Sequence, residues 1–106
     1  MAIKTLKNQL KAYLDKVNNI IKIDKAFLVG SYATNTAKKE SDVDLLILSN
    51  EFKKMSFDDR LKILYRQTVN LDIDLHIHPV TEKELKLASN LTSLGAMRND
   101  PKYQLL

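Results

Sequence analysis

The chain has no cysteine and no tryptophan, and only two glycines and two prolines among its 106 residues. Without cysteine there is no disulfide framework and no thiolate-ligated metal centre. So little glycine and proline excludes collagen-like and linker-rich chains and argues against disorder. No apolar run approaches the roughly 18 residues that a membrane-spanning helix needs. The opening segment MAIKTLKNQLKAYL lacks the continuous apolar stretch of a signal peptide. No membrane association and a cytoplasmic location are therefore expected. Charge of one sign is also scarce: 17 basic and 13 acidic residues leave a net charge of +4. That balance permits a nucleic-acid partner without demanding one. No repeat or low-complexity segment is visible.

What is present is an ordinary globular composition, 44% hydrophobic and 28% charged. The length predicts one domain over residues 1–106. Ile3, Leu6, Leu10, Leu14, Val17 and Ile21 recur every three or four positions and predict a helix over about residues 3–22. Lys25 to Val29 is a short apolar strand, Tyr32 to Thr36 one or two helical turns, and VDLLIL at 43–48 a strand buried on both sides. A loop over 49–57 leads to a capped helix that runs to about Thr68. LDIDLHIH at 71–78 alternates without a break, so Leu71, Ile73, Leu75 and Ile77 should face the core and Asp72, Asp74, His76 and His78 the other side. Pro79 should end that strand. Thr81 to Glu84 reads as a capping box for a helix to about residue 94. Residues 95–106 read as an irregular tail, docked or oligomer-forming through Tyr103, Leu105 and Leu106. The order α-β-α-β-α-β-α predicts an α+β fold, a small mixed sheet with helices mainly on one face and carboxylates on the open one.

The chemistry lies in Gly30-Ser31, ten residues, then Asp42-Val43-Asp44. Gly30 ends a strand where a helical turn begins, so a phosphate can approach its backbone. Ser31 can cap that turn and donate its hydroxyl to a phosphate oxygen. Asp42 and Asp44 are alternate residues of an extended segment, with Cα atoms roughly 6.5–7 Å apart and side chains on one face. Both can converge on a hard cation. Each piece alone also has a plain structural reading. The Gly-Ser pair can be a simple turn, Asp42 a loop cap, and Asp44 a partner for Lys38 or Lys39. Two-metal transfer chemistry needs a further ligand on an adjacent strand and the same face, where Asp72 and Asp74 both lie. His76 and His78 share that face. With no cysteine and no third histidine, a dedicated zinc site is not expected. The histidines read instead as solvent-facing, as supporting groups, or as contacts to a base or phosphate.

Gly30-Ser31, Asp42-x-Asp44 and their apolar flanks resemble the signature of the DNA polymerase beta superfamily of nucleotidyltransferases, most closely its minimal nucleotidyltransferases. The resemblance covers about residues 24–85 and implies the nucleotidyltransferase fold. The family's third acid precedes a proline-containing turn, a register that Ile73-Asp74-Leu75-His76-Ile77-His78-Pro79 matches, so the resemblance assigns Asp74 rather than Asp72. It implies that Asp42, Asp44 and Asp74 are the catalytic, metal-binding acids for two Mg2+ ions, with Mn2+ as an alternative. Gly30 and Ser31 would hold the triphosphate of ATP or another NTP. Relatives often read Gly-Ser-aromatic-Ala-Arg-Gly, whereas this chain has Thr34 and Asn35 in the last two places. Asparagine is the residue after glycine best suited to a left-handed turn.

The resemblance implies transfer of AMP from ATP to an acceptor hydroxyl, in the manner of antitoxins that modify a small helical HEPN-type partner. Larger relatives carry a second domain for the acceptor. A chain this short predicts that another polypeptide, or a homodimer, presents it. The alternative is a non-catalytic module that binds nucleotide or neutralises a partner by contact.

Overall fold

The computed structural model describes residues 3–33 and 42–106. Helix α1 (Ile3–Asn18) leads into strand β1 (Lys25–Val29) and a 3-10 turn at Gly30–Tyr32. Strand β2 (Val43–Leu48) is followed by a second 3-10 turn, Asn50–Lys54, and helix α2 (Phe57–Arg66). Strand β3 (Leu75–Val80), helices α3 (Glu82–Leu87) and α4 (Ser93–Asn99), and strand β4 (Tyr103–Gln104) complete the chain. The sheet order is β3-β2-β1-β4. β1 pairs antiparallel with β2 and β4, and β2 pairs parallel with β3. This is the expected mixed α+β sheet.

Strand alternation sorts the sheet into two faces. Ala26, Leu28, Val43, Leu45, Ile47 and Ile77 form one face and pack on Leu6, Leu10, Tyr13, Leu14 and Val17 of α1 and Leu64 of α2. The Tyr13 hydroxyl donates to the Leu64 carbonyl at 2.7 Å and ties the two helices together. The opposite face carries a smaller cluster, Val29, Leu46, Leu48 and Val80, covered by Leu85, Leu94 and Met97. Helices thus lie mainly on one face. The second face is closed at one end by α3 and α4, and the polar end of the strands lies beyond that cover.

Several expectations are corrected. The first helix ends at Asn18 rather than residue 22, where the Asn18 side chain turns to accept from the Ile23 amide at 2.8 Å. The third strand spans 75–80 rather than 71–78. Its alternation begins earlier, and Leu71 and Ile73 do pack on the core, but a ladder needs a partner and β2 pairs from Val43↔Leu75 onward. Pro79 lies inside β3 because β3 is an edge strand, where a missing N–H is tolerated. Its carbonyl accepts from Arg60 at 3.2 Å. The Tyr65 hydroxyl likewise accepts from the Ile77 amide and donates to the Leu75 carbonyl, both at 3.1 Å, so α2 covers the outer edge of β3.

The helix expected to reach residue 94 stops at Leu87, and the tail is ordered structure. α4 starts at Thr92, whose side chain accepts from the Gly95 amide. Leu105 is buried, and β4 completes the sheet through Phe27↔Gln104 and Leu28↔Tyr103. The segment expected as loop at 49–57 contains the 3-10 turn, with Ser49 as its cap. A 3-10 turn spans Gly30–Tyr32, and residues 34–36 of the helical turns expected at 32–36 lie outside the described residues. Thr34 and Asn35, and the Lys38 and Lys39 pairing, lie outside the described residues. Among the described residues no helix is long and apolar enough to cross a membrane.

Candidate active site

The polar end of the second face is built by three adjacent strands. Val29 of β1 lies opposite Asp44 of β2, which in turn lies opposite His76 of β3. His78 follows on the same face, beside Leu46. Asp44 is therefore the central group. Its two oxygens divide the work of the site.

One oxygen faces the Gly-Ser turn. Gly30 has φ +74°, and a Cβ built there would lie 2.5 Å from Asp44 Oδ2. Glycine is required twice, for the left-handed backbone and for the carboxylate that occupies the space of a side chain. The turn and the acidic strand are thus side by side. Ser31 follows in the 3-10 turn and is partly exposed.

The other oxygen faces two imidazoles. Asp44 Oδ1 lies 3.3 Å from His76 Nδ1 and 3.3 Å from His78 Nε2. The rings are 4.7 Å apart between centroids and inclined by 50°. Burial pushes the His78 imidazole below its ordinary pKa, opposed by its hydrogen bond to Asp44 and reinforced by His76. Burial thus favours the neutral ring, in which one nitrogen carries a proton and the other a lone pair.

Asp42 and Asp74 lie just beyond, both exposed. The Asp74 carbonyl accepts from the Val43 amide at 3.2 Å, which sets the Asp74 backbone beside the start of β2. Asp42 and Asp74 line a concavity of about 350 Å3 with Tyr65, Thr68, Ile73, Leu75 and His76. That volume is at the small end of ligand pockets.

The structure thus brings Asp44 against Gly30 and places Asp42 and Asp74 in one concavity. Among the described residues it does not gather one ligand atom from each of Asp42, Asp44 and Asp74. The group whose ligand atoms lie within 4.8 Å of one another is Asp44, His76 and His78. This set of one carboxylate oxygen and two imidazole nitrogens differs from the three aspartates expected to hold Mg2+, an ion that takes oxygen ligands. The signal for the histidines was their shared face with Asp74. What the pattern lacked was the strand register, which sets His76 rather than Asp74 opposite Asp44.

Three comparisons bear on this geometry. No curated protein matches the sequence. A presumed nucleotidyltransferase from Sulfolobus solfataricus has a similar fold, with TM-score 0.67 and 19% identity over 79% of this chain and 74% of that one. A toxin–antitoxin solved with AMP-PNP gives TM-score 0.62 and 21% identity over 91% of this chain and 72% of that one. A mutant of the toxin–antitoxin MntA–HpeT, with two aspartates two positions apart changed to glutamate, gives TM-score 0.61, with 21% identity over 91% of this chain and 72% of that one. The family model described as the nucleotidyltransferase domain matches residues 6–94, from the first turn of α1 into α4 and across both halves of the site. With most of its length so matched, this chain belongs to the nucleotidyltransferase-domain family.

Proposed function

We propose that this chain transfers AMP from ATP to a hydroxyl group on a partner protein. The observation that carries the reading is the contact of the Asp44 carboxylate with Gly30, which joins the phosphate turn to the acidic strand. Asp42 and Asp44 would hold the Mg2+ that accompanies the triphosphate, through the oxygen ligands this ion prefers. Gly30 and Ser31 hold the phosphates through backbone N–H groups and the serine hydroxyl. The acceptor oxygen forms a bond to the α-phosphorus. The bond from that phosphorus to the bridging oxygen breaks, and pyrophosphate leaves with the electron pair. Asp74, in the same concavity as Asp42, takes the acceptor proton as general base. A divalent ion, when bound, offsets the charge that develops on the phosphate oxygens.

A partner carrying the acceptor is supported by the two toxin–antitoxin structures with this fold, one of them solved with AMP-PNP. We place a small helical protein of the HEPN type in that role, or a second copy of this chain. The test is transfer of label from α-labelled ATP to protein co-purified with this chain from its native cell. Asp44→Asn should lower labelling by at least about 100-fold, in keeping with loss of a charge-stabilising group. Undiminished labelling by that variant would refute the assignment.

One observation favours a second reading, a module that binds nucleotide without turnover. His76, and not an acid, is the residue of β3 that stands opposite Asp44. Calorimetry with Mg-ATP followed by a pyrophosphate assay separates the two. Binding without pyrophosphate release supports the module.

A further inference from the structure

We infer that Asp44, His76 and His78 form a resident site for a borderline transition ion, Zn2+ or Co2+ in preference to Mg2+. The role of that ion rests on the nucleotidyl-transfer reading, but its binding stands on geometry alone. The donors are one carboxylate oxygen and two imidazole nitrogens, all within 4.8 Å of one another. Nitrogen-rich sets of this kind follow the Irving–Williams order and discriminate against hard cations.

The spacing matches coordination better than hydrogen bonding. Zinc–ligand bonds of about 2.0–2.1 Å at tetrahedral angles put neighbouring ligand atoms about 3.3–3.4 Å apart. His76 Nδ1 and His78 Nε2 each lie 3.3 Å from Asp44 Oδ1. A charge-assisted N–H···O hydrogen bond would be shorter, about 2.7–2.9 Å. Each ring nitrogen thus stands from Asp44 Oδ1 at the edge length of a coordination tetrahedron, and the two nitrogens lie within 4.8 Å of each other.

The ligands sit on rigid elements. Asp44 and His76 are cross-strand partners in the parallel β2–β3 ladder, and His78 lies two residues along on the same face. The His78 and Asp44 side chains are 20% and 28% exposed, whereas that of His76 is 65% exposed. The exposed side leaves at least one coordination position open. Three protein ligands with an open position are the form of a catalytic rather than a structural zinc site. Asp44 Oδ2, turned toward Gly30, links this ion to the place where the triphosphate would lie. The ion would stand on the acceptor side, with the nucleotide bringing its own Mg2+.

The test uses the full chain stripped with EDTA and no nucleotide. Co2+ is titrated while its visible d–d absorption is recorded, and Zn2+ and Mg2+ are then added as competitors. The expected result is one equivalent of Co2+ with a strong low-symmetry band, displaced by Zn2+ and retained in a large excess of Mg2+. His76→Ala should weaken Co2+ binding by at least about 10–100-fold, the scale that loss of an outer-shell partner alone produces, while Asp74→Asn leaves it unchanged. His76 is exposed, so its replacement leaves the core intact. His78→Ala is a second variant, with circular dichroism as its folding control. Displacement of Co2+ by Mg2+, or equal binding by the wild type and His76→Ala, would overturn the site. Co2+ binding as expected, with no label transfer under any metal, would instead refute the nucleotidyl-transfer reading. Mg2+-only transfer that His76→Ala leaves intact would refute this site and spare that reading.

Discussion

Asp44 is a carboxylate in an apolar strand, VDLLIL, where an ionised group is costly unless it has partners. The two imidazoles are such partners, and the other carboxylate oxygen is turned toward Gly30. Gly30→Ala removes one side of that arrangement. The positive φ costs an L-residue roughly 1–2 kcal/mol, and the added Cβ meets Asp44 Oδ2. Urea unfolding should show a loss of at least about 1 kcal/mol, and nucleotide affinity should fall as Asp44 is displaced. Wild-type stability in this variant would mean that the turn is not held as described. Asp42, Asp44 and Gly30 stand out in the sequence because their spacing lies along one chain segment. His76 and His78 could be seen on the correct face but not beside Asp44. That contact depends on which residue of β3 meets which residue of β2, and alternation alone leaves the register open.

At the scale of elements, the free edge of β3 is held by α2. Arg60 is 6% exposed. Its guanidinium donates to the Pro79 carbonyl at 3.2 Å and to both oxygens of Glu84, at 2.7 and 3.3 Å. Glu84 in turn closes the capping box of α3 with Thr81. One arginine thus joins α2, the end of β3 and the start of α3. Arg60→Ala leaves the Pro79 carbonyl without that donor, and denaturant unfolding should show a loss of about 1–3 kcal/mol. An unchanged midpoint would show that the junction is held otherwise.

The pH dependence of this junction has a definite sign. The Arg60 hydrogen bond, ahead of the bonds to Thr81, holds the Glu84 carboxyl below its ordinary value of 4.5, with burial opposing. A lowered folded pKa gives stability that is present above about pH 4.5 and is lost as pH falls through the lower folded value. Glu84→Gln should flatten that part of the acid limb in urea midpoints measured from pH 6 downward. The half-exposed carboxylate makes the effect small. An acid limb as steep in Glu84→Gln as in the wild type would contradict this account. The capping boxes and the amphipathic first helix were legible because local chemistry writes them. Pro79 was read as a terminator because a single strand does not say whether it lies at an edge. The edge position, with Arg60 beside it, makes proline acceptable there.

At the scale of the whole molecule, the last residues complete the sheet. Ala26 donates to the Leu106 carbonyl at 3.0 Å, and Leu105 donates to the Ala26 carbonyl at 2.7 Å. Lys7 of α1 lies 3.5 Å from the centroid of the Tyr103 ring. These contacts are long-range in sequence, so the tail shows no period of its own and could not be read as a strand. Removing residues 103–106 exposes the edge of β1 and uncovers the core at Leu105. The shortened chain should unfold at a lower denaturant concentration and self-associate through the bared edge, as sedimentation would show. A monomer of unchanged stability would contradict the role given to β4. The central claim concerns the reaction, and the most direct measurement compares ATP labelled at the α-phosphate with ATP labelled at the γ-phosphate. Nucleotidyl transfer predicts that the α-label enters the acceptor protein and the γ-label leaves in pyrophosphate. Retention of the γ-label on the acceptor, with the α-label remaining in ADP, would mean phosphoryl transfer and would contradict the account.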